Sequence, residues 1–448
     1  MTAPAGAARR LTVVSLTAAL YFIVSGGPYG LEDLIAATGY ERALFLLFLT
    51  PILWSLPTSL MVAELSAALP EDGGYYAWVR RALGPFWGFQ EAWLSIAASI
   101  FDMAIYPTLF ALYVGRLVPR LSGGWAPFAL GAGMIAVAVA WNLRGAEHVG
   151  RSVLGFGLLV LAPFGLLVLL SVMDPTLAPA APSATAAGSG GLVTGLLVAM
   201  WNFMGWDNAS TFAGEVHRPQ RTYPLAILGA LSLIVITYAL PVWAARAGGL
   251  DPASWSTGSW VDAGNAIGGG VLGLLIAVGG AVSALCTFSS LVLSYSRVPG
   301  ALAADGLLPA ALGRKSPKTG VPVASVLLCG ALYAACLGLG FERLVELDVV
   351  LYGLSLLLEF AALVALRRRE PDLPRPFRVP GGLFGAVAIA VPPMALILLA
   401  IWMGLGGAEP SSARGTGLGL FIALLGAPAF AVLWRKRGAP VVLPAVAR

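Results

Sequence analysis

Charge is what this 448-residue chain has least of: Asp, Glu, Lys and Arg make up 11% of it, against 58% hydrophobic residues. Soluble domains carry about 25% charged residues. A soluble enzyme, a disordered chain and a nucleic-acid binder are therefore excluded, and no nucleic-acid partner is expected. Histidine is nearly missing as well. His148 and His217 lie far apart near segment ends, which leaves little for a histidine metal site or a catalytic triad. The three cysteines (Cys286, Cys329 and Cys336) all sit in apolar runs and read as small core residues, not as a disulfide framework or metal cluster. Neither a cofactor nor a metal is expected, and no Ser/His or Cys/His set suggests an enzyme. The first apolar stretch lacks a short hydrophobic core followed by a small-residue cleavage site, so it reads as a retained span.

What the chain does have is glycine (55), proline (31) and long apolar runs. Both residues are more frequent in membrane helices than in soluble ones. Runs of about 20 residues, the length that crosses a hydrocarbon core of about 30 Å, recur near 11–37, 43–69, 86–115, 123–143, 149–173, 191–215, 222–248, 266–297, 322–341, 345–366, 381–406 and 416–434. No alternating polar and apolar strands accompany them, so a membrane barrel is disfavoured. The expectation is an all-α integral membrane protein of about twelve transmembrane helices.

The cations test that count. With the amino terminus inside, 21 of the 27 Lys and Arg residues fall on one face, and only Arg42, Arg116, Arg120, Arg246, Arg343 and Arg414 fall on the other. The positive-inside rule then places both termini in the cytoplasm of a multi-pass protein of the cell membrane. The expected segments are a cytoplasmic terminus over 1–10, five helices over 11–173 and an extracellular loop over 174–190. Five more helices follow over 191–368, then helices 11 and 12 over 369–435 and a cytoplasmic tail over 436–448.

Two spans are interrupted near their middles, each opening one set of five: Ser25-Gly26-Gly27-Pro28-Tyr29-Gly30 and Trp201-Asn202-Phe203-Met204-Gly205-Trp206-Asp207. Proline removes a donor and glycine adds backbone freedom. In lipid the freed groups are tolerated only beside a cavity or inside protein. Matching interruptions in two halves point to a transporter site at the midplane, and they disfavour a channel. No sizeable soluble region is left to serve a receptor.

Acidic residues inside the spans carry the next signal, since burying a charge in lipid is costly. Glu32 and Asp33 follow the first break, Asp207 sits at the second, and Asp102 and Glu359 lie midway along spans 3 and 10. No Lys or Arg falls at their depth, so they must take up protons or meet an external cation. Asp102 and Tyr106 share a helix face, as do Tyr352, Ser355 and Glu359. Trp201, Phe203 and Trp206 surround Asp207, while Tyr21 and Tyr29 flank the first break. Aromatic faces beside carboxylates suit an alkylammonium group. Glu64, Glu91 and Glu215, nearer the cytoplasmic ends, read as partners of arginines such as Arg80, Arg81 and Arg218. Trp243, Trp255 and Trp260 read as interfacial belt residues.

The chain resembles the amino acid–polyamine–organocation superfamily of permeases, nearest its polyamine/proton symporter branch, which is related to the L-type amino acid transporters. The residues that carry this are Val24 to Asp33, Pro70 to Tyr75, Pro85 to Glu91, Asp102 to Pro107, Trp201 to Glu215, Ser296 to Pro309, Leu358-Glu359-Phe360 and Leu373 to Pro380. The resemblance implies a five-plus-five inverted repeat with broken helices 1 and 6, two added C-terminal helices, and alternating access. It further implies that the first break offers backbone amides to the substrate, the second offers carbonyls, and Trp201 matches an aromatic gate. Many amino acid members hold a substrate carboxylate on a Gly-Ser/Thr-Gly turn. Here Ser25-Gly26-Gly27-Pro28 stands in its place, and Pro28 has no amide to offer. Some proton-coupled relatives use a lysine in span 5, which this chain lacks.

The expected function is uptake of polyamines or related organic cations, coupled to protons. The expected binding residues are Ser25, Gly26, Gly27, Tyr29, Glu32, Asp33, Asp102, Tyr106, Trp201, Asn202, Phe203, Trp206, Asp207 and Tyr352. Asp102, Asp207 and Glu359 are the proton-carrying candidates. The alternative is a permease for cationic or neutral amino acids.

Overall fold

The computed structural model describes residues 12–70, 73–144, 146–174, 189–208, 216, 218–406 and 410–436, and the regular elements among them are helices. Thr12 caps α1 (Val13–Val24) through its pairing with Ser15. This helix has 12 residues; at 1.5 Å per residue it covers about 18 Å, well short of a hydrocarbon core of about 30 Å. The chain opens at Ser25 and becomes helical again as α2 (Glu32–Thr50). Gly39, at φ 74°, turns α2, so that its first turns complete span 1 and the rest belongs to span 2. Pro51 cannot donate to the helix ladder, and a π-turn over Pro51–Ser55 leads into α3 (Leu56–Ala68).

A short helix, α4 (Tyr75–Leu83), links spans 2 and 3. It buries Tyr75, Tyr76, Trp78 and Val79 and carries Arg80 and Arg81 in its last turn. The next three spans are α5 (Pro85–Leu117), α6 (Ala126–Asn142) and α7 (Ala146–Met173). Helix α8 (Ser189–Asn202) stops after 14 residues at the second break, as α1 stops at the first. Then come α9 (Pro219–Ala247), α10 (Trp260–Tyr295), the short α11 (Arg297–Ala304), α12 (Val323–Ala335), α13 (Phe341–Arg369), α14 (Gly382–Gly406) and α15 (Pro410–Lys436). Each of the twelve apolar runs contains a helix. The far part of span 6, with Glu215, lies outside the described residues, as do His217 and most of the loop over 174–190.

The packing repeats across the two halves. Helix α5 (span 3) packs on α13 (span 10), and α10 (span 8) packs on α7 (span 5), the pair produced by stepping each partner five spans along. Likewise α6 lies on α5 and α12 lies on α10. Helices α14 and α15 lie outside this arrangement, with α15 against α5 and α13. Lipid-facing positions on them are large and apolar, among them Phe384, Trp402 and Leu424.

Two expected belt tryptophans are not at an interface. Trp255 and Trp260 are buried in the core, stacked edge to face at 4.9 Å, and only Trp243 is exposed. Both indole N–H groups have inward partners: Trp260 Nε1 donates to the Pro28 carbonyl (2.9 Å) and Trp255 Nε1 to Tyr40 Oη (3.0 Å). In α10, Gly269 at φ 73° bends the chain and sets the first turns, with Trp260, at an angle to the rest. Hydropathy alone does not reveal that re-entry.

Candidate functional site

The two breaks meet at the centre of the molecule, where their freed backbone groups find side-chain partners. Ser283 Oγ of α10 donates to the Gly26 carbonyl. Ser55 Oγ donates to the Phe203 carbonyl (3.1 Å), and Tyr238 Oη of α9 donates to the Asn202 carbonyl (3.2 Å). Asn202 Nδ2 binds the Val198 carbonyl (2.9 Å) and reaches the Gly30 carbonyl at 3.5 Å, linking one break to the other. Gly27, Gly30 and Gly205 all take φ 91°, a conformation that side chains with a Cβ rarely adopt.

Around this junction lies a cavity of about 50 Å³. Gly26, Gly27, Tyr29, Asp102, Tyr106, Trp201, Asn202 and Tyr352, all expected from the sequence, line it. Among the described lining residues Asp102 is the only acid, and none is Lys, Arg or His. Three aromatic donors hold that carboxylate. Trp201 Nε1 and Tyr106 Oη donate to Oδ1 at 3.1 and 3.3 Å, and Tyr295 Oη donates to Oδ2 at 3.1 Å. The Trp201 ring lies over Gly30, where a Cβ would come within 2.7 Å of it, and meets the edge of Phe341 at 5.5 Å. The indole is thereby held between a carboxylate, a phenol and a glycine.

The other expected residues lie outside this lining, each with a different task. Glu32 and Asp33 are tied into the surrounding loops. Glu32 accepts from Tyr113 Oη, from the Gly30 amide (2.7 Å) and from the Gly258 amide (3.1 Å), while Asp33 accepts from Thr257 Oγ1 (2.7 Å). They close the start of α2 onto α5 and the loop before α10. Ser25 Oγ accepts from the Gly27 amide at 3.2 Å. Phe203 packs against Tyr238, and Trp206 Nε1 donates to the Phe203 carbonyl, so both brace the second break. Asp207 lies behind Tyr352, whose hydroxyl donates to it at 2.7 Å. Glu359 is buried farther along α13.

The arginine partners expected for Glu64 and Glu91 differ from those found. Glu64 is paired with Arg367 and, at 3.3 Å, with Arg375, and it also accepts from the Val379 amide (2.7 Å). Arg80 binds Asp305 and Arg81 binds Glu370 instead. Glu91 has no described arginine at all. Its Oε1 accepts from Ser95 Oγ (2.6 Å) and Ser355 Oγ (3.2 Å), because α13 covers that face of α5.

Asp348 was missed, and so were the phenols of Tyr295, Tyr238 and Tyr113. Asp348 is 1% exposed. It stands four residues before Tyr352, so extending the Tyr352–Ser355–Glu359 face by one turn finds it. Tyr113 lies on the Asp102–Tyr106 face of α5, two turns beyond Tyr106, whereas no such periodicity marks Tyr238 and Tyr295, which approach from α9 and α10.

The broken helices and their central cavity define a membrane carrier, and sequence comparison agrees. Residues 12–427 match the model of the amino acid permease family, and the chain belongs to that family, in the amino acid–polyamine–organocation superfamily. It is a multi-pass secondary transporter and not an enzyme. It is 36% identical to polyamine transporter PUT1 of Oryza sativa subsp. japonica, over 88% of this chain and 74% of that one. It is 33% identical to polyamine transporter RMV1 of Arabidopsis thaliana, over 87% of this chain and 79% of that one. An uncharacterized transporter of Legionella pneumophila is 26% identical over 78% of this chain and 79% of its own.

Proposed function

We propose that this permease imports polyamines or related organic cations across the cell membrane by alternating access, with protons carried alongside and both termini in the cytoplasm. The observation that carries the reading is the cavity itself: one carboxylate, Asp102, held by Trp201, Tyr106 and Tyr295, with no basic side chain among the described lining residues. A buried carboxylate of this kind favours a cationic cargo, and the aromatic faces around it add cation–π attraction.

The first break supports a cargo without a carboxylate. The Gly27 amide is spent on Ser25 Oγ and the Gly30 amide on Glu32, and Pro28 has none. An amino acid carrier needs such donors free for its substrate. The names of the rice and Arabidopsis relatives point the same way. Asp102, Tyr106, Trp201, Asn202 and Tyr352 are the proposed contacts to the cation, with Asp102, Asp207 and Glu359 as carriers of charge. The five-helix repeats over 11–173 and 191–368 are the proposed moving units.

Proteoliposomes holding the full chain test this with labelled putrescine under an inward proton gradient. Accumulation that unlabelled spermidine suppresses is the expected result. Leucine or arginine uptake with no putrescine uptake or competition would replace the polyamine reading with an amino acid permease.

A further inference from the structure

Helices α5 and α13 run antiparallel, and their buried acids face each other in a shared register. Asp102 and Glu91 are eleven residues apart on α5, and Asp348 and Glu359 are eleven apart on α13. Eleven residues make about three turns, so each pair shares a face, separated by about 16 Å along the axis. The register is fixed where Ser95 Oγ of α5 touches Ser355 Oγ of α13 at 3.2 Å. The result is two tiers: Asp102 with Asp348 at the level of the cavity, and Glu91 with Glu359 toward the ends of the helices that carry Arg80, Arg81 and Arg367. In each tier the two carboxyls interact electrostatically.

Asp348 Oδ2 of the upper tier is buried without a described hydrogen-bond partner, but its neighbour Asp102 opens on the cavity; the lower tier has no member in that lining. Glu91 is 0% exposed and Glu359 is 1% exposed. Glu91 Oε2 and Glu359 Oε2 are both buried with no hydrogen-bond partner among the described residues. Ser95 and Ser355 satisfy Glu91 Oε1, and the Ser355 hydroxyl lies beside the Glu359 carboxyl as well. Among the described residues, the cations nearest the pair by element, Arg80 and Arg81 at the end of α4, are bound to Asp305 and Glu370. Helix α4 contributes Tyr75, and the second break contributes Asp207, bound to Tyr352 one turn from Ser355. Helices α6, α8, α12 and α14 carry no charged residue over 126–142, 189–202, 323–335 and 382–406, and α10 carries none over 263–295. On α3, Glu64 is occupied by Arg367 and Arg375. Of the remaining neighbours, Arg297 of α11 is exposed, and α15 has its cations, Arg414, Arg435 and Lys436, near its two ends. Two facing carboxyls buried this way cannot both be ionised without a large cost.

We infer that Glu91 and Glu359, joined through Ser95 and Ser355, form the site that carries the transported proton, separate from the cation's cavity and connected to it through Asp207 and Tyr352. This rests on the proton-coupled reading above and gives it a place. Loading adds one proton to a carboxylate oxygen of the pair, and release returns that proton to water on the cytoplasmic side. No bond of the cargo changes. The division of labour is physical: the upper tier meets the cation, while the lower tier alters its charge without touching it.

The test uses the full chain in proteoliposomes, comparing wild type with Glu91→Gln and Glu359→Gln. Putrescine counterflow with no ion gradient reads the cavity, and accumulation under a proton gradient reads the coupling. The expected result is counterflow close to wild type with accumulation lowered about tenfold or more, within the usual range of coupling between sites. Accumulation at the wild-type level in both variants overturns the site. Loss of counterflow in both overturns it too, since a proton store off the cavity leaves exchange intact. If wild type itself accumulates putrescine only under a sodium gradient, the proton-coupled reading falls, and this assignment falls with it.

Discussion

Asp102 is the residue on which the cation reading turns. Its carboxylate receives three hydrogen bonds from Trp201, Tyr106 and Tyr295; an amide keeps the two made to Oδ1 through its oxygen and reverses the third, its NH2 donating to Tyr295 Oη. Asp102→Asn therefore keeps the fold while removing the charge. A charge-assisted hydrogen bond contributes about 1.5–3 kcal/mol, so putrescine affinity is expected to fall about ten- to a hundredfold. Scintillation-proximity binding to the purified variant measures this, and unchanged affinity would remove Asp102 from the site. The carboxylate was legible in the sequence because an acid in mid-span has so few structural explanations. The phenol of Tyr295 was not. It ends a helix distant in sequence, and only the packing of α10 against α5 brings it to Asp102. Glu32 and Asp33 stood out for the same reason as Asp102, yet their oxygens hold the amides of Gly30 and Gly258 and the hydroxyls of Tyr113 and Thr257. An acid's rarity announces that it matters, while its partners decide what it does.

At the scale of elements, both interruptions were readable from glycine and proline, because few other residues release a membrane helix. What joins the elements was less readable. Glu64 at the end of α3 holds Arg367 at the end of α13 and Arg375 in the segment beyond it, along with the Val379 amide. All three charged side chains are buried, with 0%, 1% and 5% of their surface exposed. Residues 303 apart give no local pattern, and nearer arginines offered themselves as partners. Breaking a buried pair by neutralising one member costs about 3–5 kcal/mol, because the other charge stays behind. Glu64→Gln is expected to lower the unfolding midpoint in detergent by that order, with putrescine binding retained in the fraction that folds. A midpoint equal to wild type would mean that the clamp contributes no stability and that the segment from 370 to 380 is held by its other contacts.

Across the whole molecule, the scarce charges sort by face. Arg246 pairs with Glu41 and Arg116 with Asp262 at the end assigned to the outside. Arg80 pairs with Asp305 and Arg81 with Glu370 at the other end. Each of these four pairs stays within its own face, as expected if a hydrocarbon slab about 30 Å thick separates the two sets. That separation gives the topology its own experiment. Ser122, after α5, is exposed on the side with six cations, and Lys318, before α12, is exposed on the side with twenty-one. Cys286 and Cys329 are buried and Cys336 is half-buried, so a Cys336→Ser background leaves little native thiol to react. In intact cells, a membrane-impermeant maleimide is expected to label Ser122→Cys and to spare Lys318→Cys until the cells are opened. The reverse pattern would invert the protein and place both termini outside. Labelling of both sites in intact cells would mean that the spans between them do not separate two compartments, and the twelve-helix arrangement would have to be redrawn.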